Sequence, residues 1–182
     1  MDELSHRADE LSVLARKINL ESRLARFSIG SETVNNIRQL RPVLHRHVNG
    51  IAQRFYVYMQ RFSEAQRIFA GQNMDRLRTK QITHWRDLFL CEFDENFLMG
   101  ALAVGFAHYK AKVPPHLYMA GYNFFTGELL RILVDEIRPA EIAAAAISVN
   151  KLVSFDMSIG LNSYMMHMLL HPDWQPEPRH EA

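Results

Sequence analysis

The chain has 182 residues, enough for one core-forming domain and little more. Its 21 basic and 20 acidic residues leave a formal net charge of +1, so the overall charge offers nucleic acid no particular attraction. The lone Cys91 cannot form an internal disulfide, and the longest apolar run, 97–107, is only 11 residues long. With an acidic amino terminus, these features predict a cytoplasmic domain without a signal peptide, a membrane span or a nucleic-acid partner.

Helical periodicity dominates the chain, and no alternating strand pattern appears, which predicts an all-α fold. The expected helices, in chain order, cover about 2–17, 20–27, 31–62, 74–90, 94–113, 115–137 and 139–170. Ser31 is a candidate N-cap for the long third helix, whose amphipathic part opens near Arg41 and Pro42. Pro139 suits the first turn of the last helix. We expect one domain over 1–170, followed at 171–182 by a proline-rich tail or linker stub without order.

His108 lies on a thin helix that ends at a double proline. Glycine in a helix costs about 1 kcal/mol relative to alanine, and this helix contains two, so another interaction should offset the cost. Val104 and Gly105 share the face of His108, because they precede it by four and three residues. A neutral imidazole on such a slim face is how a helix presents an axial ligand to haem iron. The alternative interpretation is a buried histidine on a loosely packed helix.

Further short motifs accompany this helix in a characteristic order. They are Leu40-Arg-Pro-Val-Leu44, Arg54-Phe-Tyr56, Met74-Asp-Arg-Leu77, Pro114-Pro115 and Gly121-Tyr122. His108 follows Tyr56 by 52 positions, and Tyr118 follows His108 by ten. In this order and spacing, from about Phe27 to about Leu170, the chain resembles the haem domain of globin-coupled sensors. The resemblance implies a globin fold of the sensor type, with an extra N-terminal helix and a long C-terminal helix. No Cys-x-x-Cys-His run is present, so the haem would be non-covalent haem b.

The resemblance also implies the site residues. His108 corresponds to the proximal iron ligand, and Tyr56 to the distal tyrosine whose hydroxyl faces the sixth coordination position. Leu77 matches an apolar distal position, and Tyr118 a tyrosine near the proximal helix that responds to the state of the haem. The predicted cofactor-binding residues are His108, Tyr56, Leu77, Tyr118, Phe55, Val104 and Gly105, with His108 as the metal ligand and no catalytic residue.

Two positions depart from the pattern of these relatives. Lys112 stands where they often have a glycine shortly after the proximal histidine, which leaves the end of that helix less predictable. Lys80 stands on the distal helix where a small polar residue assists ligand binding in relatives. A second hydrogen-bond donor to the gas is therefore not assured by the resemblance.

The function implied is a haem-based oxygen sensor that also binds carbon monoxide or nitric oxide. Its ligand state would pass through Tyr118 and a dimeric helix bundle to an effector in cis or in trans, such as a diguanylate cyclase, a kinase or a chemotaxis transducer. No catalytic signature is found, so we expect a bacterial signal-transduction domain rather than an enzyme. A haem-free globin scaffold in stress signalling and a stand-alone haem enzyme that detoxifies reactive gases are the alternatives.

The late helices carry more apolar side chains than one small domain readily hides, which favours a homodimer. The expected interface residues are Gly127, Leu130, Leu133, Val134, Val149, Leu152, Val153, Ile159, Leu161, Met165 and Met168. The alternative is that these residues complete the core of a single chain.

Other candidate sites are weaker. His167 and His171 are four residues apart and could share a helix face, which makes them a possible metal-binding pair. His84 shares the face of Leu77 and is a candidate for the distal pocket or for a sixth iron ligand, with a solvated or interface histidine as the alternative. The acidic cluster of Glu92, Asp94 and Glu95 could resemble a carboxylate site for acid-base chemistry, but it falls at a predicted helix start, where negative charge complements the helix dipole.

Overall fold

The computed structural model describes the backbone of residues 3–170 and 173, and side chains from residue 10 onward within that range. Its described regular structure is entirely helical, which confirms the all-α prediction. The helices are α1 (Glu3–Lys17), α2 (Leu20–Arg26), α3 (Ser31–Met59), α4 (Ser63–Phe69), α5 (Met74–Leu88), α6 (Glu95–Lys110), α7 (Pro115–Glu136) and α8 (Pro139–Leu170). Except for Asp173, the predicted tail lies outside the described residues.

The helix boundaries follow from local chemistry at most ends. The side chains of Asn19, Asn73 and Asp94 accept hydrogen bonds from the backbone amides three residues ahead, and so cap α2, α5 and α6. The capping role accounts for Asp94, and Glu95 follows it in the first turn of α6. The prediction that Ser31 caps the third helix is wrong, because Gly30 is the N-cap and Ser31 is already helical.

One helix of the central region was not predicted, and the predicted long helix contains a proline. The seven-residue helix α4 was missed, since so short a segment shows little periodicity. The helix α3 opens at Ser31 and continues through Pro42, although proline removes one backbone hydrogen bond. Its buried face extends on both sides of the proline, from Ile37 and Leu40 to Leu44 and Val48, so core packing holds the helix together across that position.

The core has two adjoining clusters. One lies among α3, α5, α7 and the first half of α8, and the other joins α1, α6 and the second half of α8. The closest approach is between α6 and α8, where a Cβ atom added to Gly105 would lie 1.9 Å from the carbonyl oxygen of Gly160. Only glycine fits there, and the contact fixes α6 on α8 one turn before His108.

The predicted dimer surface is wrong for five of its eleven residues. They are buried within a single chain, where α7 and α8 pack into the core: Leu133, Val149, Leu152, Val153 and Ile159. Val134 and Met165 are exposed. By length and composition α8 is also apolar enough to cross a membrane, although polar residues interrupt its apolar runs. Its packing against α6 and α7 is that of a core helix.

Candidate functional site

A cavity of about 400 Å³ lies among α3, α4, α5, α6 and α7. This volume is in the range of pockets that take organic ligands. Side chains that line it are mostly apolar or aromatic, and include Phe55, Tyr56, Met59, Ile68, Phe69, Leu77, Trp85, Val104, His108, Val113, Leu117, Tyr118, Tyr122 and Phe125. A few polar groups interrupt this lining, so they fix the chemistry of the site.

His108 presents a neutral nitrogen at this cavity. Its Nδ1–H donates a hydrogen bond to the carbonyl oxygen of Val104, 2.8 Å away, which leaves the lone pair on Nε2. Burial lowers the pKa of His108, the bond to Val104 partly opposes this shift, and nearby His84 adds to it. A neutral imidazole with Nε2 unprotonated is the form that binds a metal.

The end of α6 is tightly built. The amide of Val113 bonds the carbonyl of His108 and the amide of Lys112 bonds that of Tyr109, which together form a Schellman motif. Lys112 has a φ of 53°, in the left-handed region that glycine adopts without strain. The sequence departure at Lys112 is therefore accommodated: the turn keeps the conformation that glycine favours, with a lysine in it.

Tyr56 lies on α3 at the same cavity. Its ring contacts those of Phe55 and Phe69, with centroids 5.1 and 5.5 Å away. Burial raises the pKa of Tyr56 to about 12, and the charge of Arg78 opposes this shift. The hydroxyl therefore stays protonated at neutral pH and is available as a donor.

Three polar residues of α5 reach the cavity. Lys80 is at its exposed edge, whereas Gln81 and His84 are half-buried. The Oε1 atom of Gln81 is buried and has no hydrogen-bond partner, and sequence reasoning missed this residue. Its spacing of four from Leu77 would have placed it on the cavity-facing side of α5.

A fully buried carboxylate stands behind His84. Asp156 of α8 accepts hydrogen bonds at Oδ2 from His84 Nε2 and from the Tyr122 hydroxyl, each at 2.8 Å. Burial lowers the pKa of His84, but Asp156 more than offsets this effect, so the pKa is raised overall. Sequence analysis did not identify Asp156, because nothing local to it shows that α5 and α7 bring donors to it.

The model of the Protoglobin family matches residues 17–168. The chain belongs to this family. Among solved structures, the globin domain of the Geobacter sulfurreducens globin-coupled sensor is similar to this protoglobin with a TM-score of 0.73 at 19% identity, over 79% of this chain and 96% of that one. This likeness establishes the globin fold. No curated protein sequence is significantly similar to the chain.

Family and fold confirm the globin resemblance that the sequence showed, and identify a haem-binding globin domain. The cavity fits such a group: its walls are largely apolar, and His108 offers a neutral nitrogen to a metal. Within residues 3–170 and 173, no cluster of three or more acidic, histidine or cysteine side chains competes as a metal site. His171 of the suggested histidine pair lies outside the described residues.

The structure brings six of the seven predicted cofactor-binding residues to the cavity. They are His108, Tyr56, Leu77, Tyr118, Phe55 and Val104. Gly105 is placed elsewhere, since its small size is used at the crossing with Gly160. The reason for the glycine in this protoglobin is thus the neighbouring helix α8.

Proposed function

We propose that this protoglobin is a haem-based gas sensor domain that takes oxygen as its ligand and holds haem b through His108. The observation that carries the proposal is the hydrogen bond from Nδ1 of His108 to Val104, which reserves Nε2 at an apolar cavity that Tyr56 also lines. The bound haem supplies an iron centre for a diatomic gas. The chain supplies the axial nitrogen and the surroundings of the gas.

Tyr56 is the residue that we propose to discriminate between oxygen and carbon monoxide. Its protonated hydroxyl donates a hydrogen bond to a polar gas ligand in the cavity, and carbon monoxide gains less from it because it is less polarised. One hydrogen bond contributes about 0.5–1.5 kcal/mol net, so this residue changes affinity roughly twofold to twelvefold. Apolar neighbours such as Phe69 and Leu77 keep water from competing for the hydroxyl.

Absorption spectra of the purified protein with haem test the proposal. We expect a Soret band that shifts with oxygen and with carbon monoxide in the ferrous state, and loss of stable haem in His108→Ala. His84→Ala is the control, since it removes the other imidazole at the cavity and should keep the haem. Imidazole added to His108→Gly should restore the spectrum, because it fills the space with the missing ligand.

Three outcomes would refute this function. Full haem content with an unchanged ferrous spectrum in His108→Ala would make His84 the next candidate ligand. A wild-type protein that stays colourless with added haem would favour the alternative function, a haem-free globin scaffold in stress signalling. Steady turnover with a reductant or a peroxide would favour the haem enzyme over the sensor.

The proposal includes a homodimer that passes the ligand state to an effector in the bacterial cytoplasm. Ile147, Met165 and Leu169 are exposed on α8 and share one face, because 18 residues make five full helical turns. Exposed apolar side chains at the two ends of this face favour self-association, with the polar residues Lys151, Ser154 and Ser158 between them. This face replaces the buried residues first expected at the interface.

Sedimentation velocity tests the dimer. Glutamate at Ile147 and Met165 places like charges across a two-fold axis, so the double variant should sediment as a monomer with normal haem content. Val57→Glu on α3 is the control, since Val57 is about as exposed but lies on another helix. A double variant that remains dimeric would exclude this face of α8.

A further inference from the structure

Four polar side chains from three helices form one hydrogen-bonded network beside the cavity. The Tyr118 hydroxyl donates to the Tyr122 hydroxyl at 3.3 Å, and Tyr122 donates to Oδ2 of Asp156 at 2.8 Å. From α5, Nε2 of His84 donates to the same oxygen at 2.8 Å. Tyr118, Tyr122 and His84 line the cavity, and Asp156 is completely buried next to them.

One end of this network, Tyr118, contacts His108. The ring of Tyr118 meets the imidazole of His108 edge to face, with centroids 4.7 Å apart and planes at 75°. The hydroxyl of Tyr118 is confined as well, since a Cβ atom added to Gly160 would lie 2.1 Å from its oxygen. The small size of Gly160 on α8 and the hydrogen bond to Tyr122 on α7 together set the position of the Tyr118 ring.

The buried carboxylate of Asp156, at the centre of the network, costs free energy that a purely structural element would not need. A buried carboxylate loses its hydration, and replacing such a group with apolar residues is often neutral or stabilising. Oδ2 of Asp156 has two donors, but Oδ1 is buried and has none. Stability alone does not account for a half-satisfied carboxylate, whereas a requirement to orient two donors from different helices does.

We infer that Asp156 is a positioning residue for His108. Through Tyr122 it holds Tyr118 against the imidazole, and through His84 it ties this arrangement to α5, the helix that carries Leu77 and Gln81. Changes on the α5 side of the cavity therefore reach His108 through side-chain hydrogen bonds as well as through helix movement. The inference rests on the proposed role of His108 as the iron ligand.

Resonance Raman spectra of the ferrous, ligand-free holoprotein test it, because the iron–histidine stretching band reports the orientation and restraint of the proximal imidazole. We expect Asp156→Asn, Tyr122→Phe and His84→Gln each to shift or broaden this band while haem content stays normal. In the Tyr122→Phe background, Asp156→Asn should add no further shift, since the path to Tyr118 is already cut. His84→Gln tests the connection to α5, because His84 is the only one of the four residues that α5 carries.

Tyr164→Phe is the matched control. It removes a buried hydroxyl on α8 that donates to the carbonyl of Val113 and lies outside the hydrogen-bonded network. It should lower stability and leave the band in place. If Asp156→Asn fails to fold, Tyr122→Phe decides the question, because it keeps the aromatic ring and removes only the connecting hydroxyl.

An unmoved band in Asp156→Asn and Tyr122→Phe at full haem content would overturn the inference and leave the proposed function intact. A shift of equal size in Tyr164→Phe would also overturn it, since the effect would then belong to the core in general. A wild-type protein without haem would refute the proposed function, and the inference with it.

Discussion

The two walls of the cavity are built differently. On the His108 side, α6 touches α8 backbone to backbone at Gly105 and Gly160, and the buried rings of Phe106 and Tyr109 flank the crossing. On the Tyr56 side, α3, α4 and α5 meet mainly through aromatic and apolar side chains, several of them half-exposed. A backbone contact cannot relax, whereas a side-chain contact can be changed without moving a helix.

This difference separates two tasks. The backbone of the wall that is proposed to hold the iron is fixed by the contact of two helices, so only the orientation of the His108 ring depends on side chains such as Tyr118. The wall that is proposed to face the gas is made of side chains, so its chemistry can be altered residue by residue. Substitutions on the two walls should therefore differ in kind: loss of stability on one, and altered ligand kinetics on the other.

Gly105→Ala should have the largest effect. The new methyl group would meet the carbonyl of Gly160, and because neither backbone can yield cheaply we expect the free energy of unfolding to fall by about 3 kcal/mol or more. Gly100→Ala on the same helix is the control. No atom lies within 4 Å of its added Cβ, so it should raise stability by about 0.5–1 kcal/mol. Urea denaturation of both variants measures this, and equal effects would show that the crossing is not tight.

On the other wall, Tyr56→Phe should leave stability nearly unchanged and speed oxygen dissociation. Loss of one hydrogen bond of about 0.5–1.5 kcal/mol predicts a roughly twofold to twelvefold increase, with a smaller change for carbon monoxide. Stopped-flow measurements with both gases give an internal comparison. Tyr58→Phe, two residues later and away from the cavity lining, is the control. Equal changes for the two gases would mean that Tyr56 does not contact the ligand.

Lys112→Gly tests how much the turn that ends α6, on the His108 side of the cavity, costs in stability. It removes the strain of a non-glycine residue at a φ of 53° and should raise the free energy of unfolding by about 1 kcal/mol. Lys110→Gly, two positions earlier and still helical, should instead lower it by about 1 kcal/mol. Thermal or urea denaturation distinguishes the two. A loss of stability in Lys112→Gly would show that the lysine side chain matters more than the turn.

The smallest expected effect is an absence of pH dependence on the Tyr56 side. Burial raises the pKa of Tyr56 to about 12 from its ordinary value of 10, so the donor is lost only as the pH rises through about 12. The oxygen dissociation rate should then stay constant from neutral pH to about pH 10. Acceleration with a midpoint near the ordinary tyrosine pKa would indicate a solvated hydroxyl.

Local pattern was enough to predict the long helices and the acidic start of α6, although it placed the N-cap of α3 one residue late. Helical periodicity and N-cap chemistry involve residues only a few positions apart, so they can be read without knowing the fold. The order and spacing of the motifs added the globin resemblance. Neither required knowledge of which helices touch.

The tertiary structure alone decided the role of Gly105, the burial of Leu152 and Ile159, and the partners of Asp156. A thin helix face looks the same whether a flat cofactor or another helix lies against it, so the sequence did not distinguish the two for Gly105. The helix α8 is apolar on several sides, and periodicity cannot say which side the rest of the chain covers. Asp156 meets donors 72 and 34 residues away, a contact that exists only once α5, α7 and α8 are packed together.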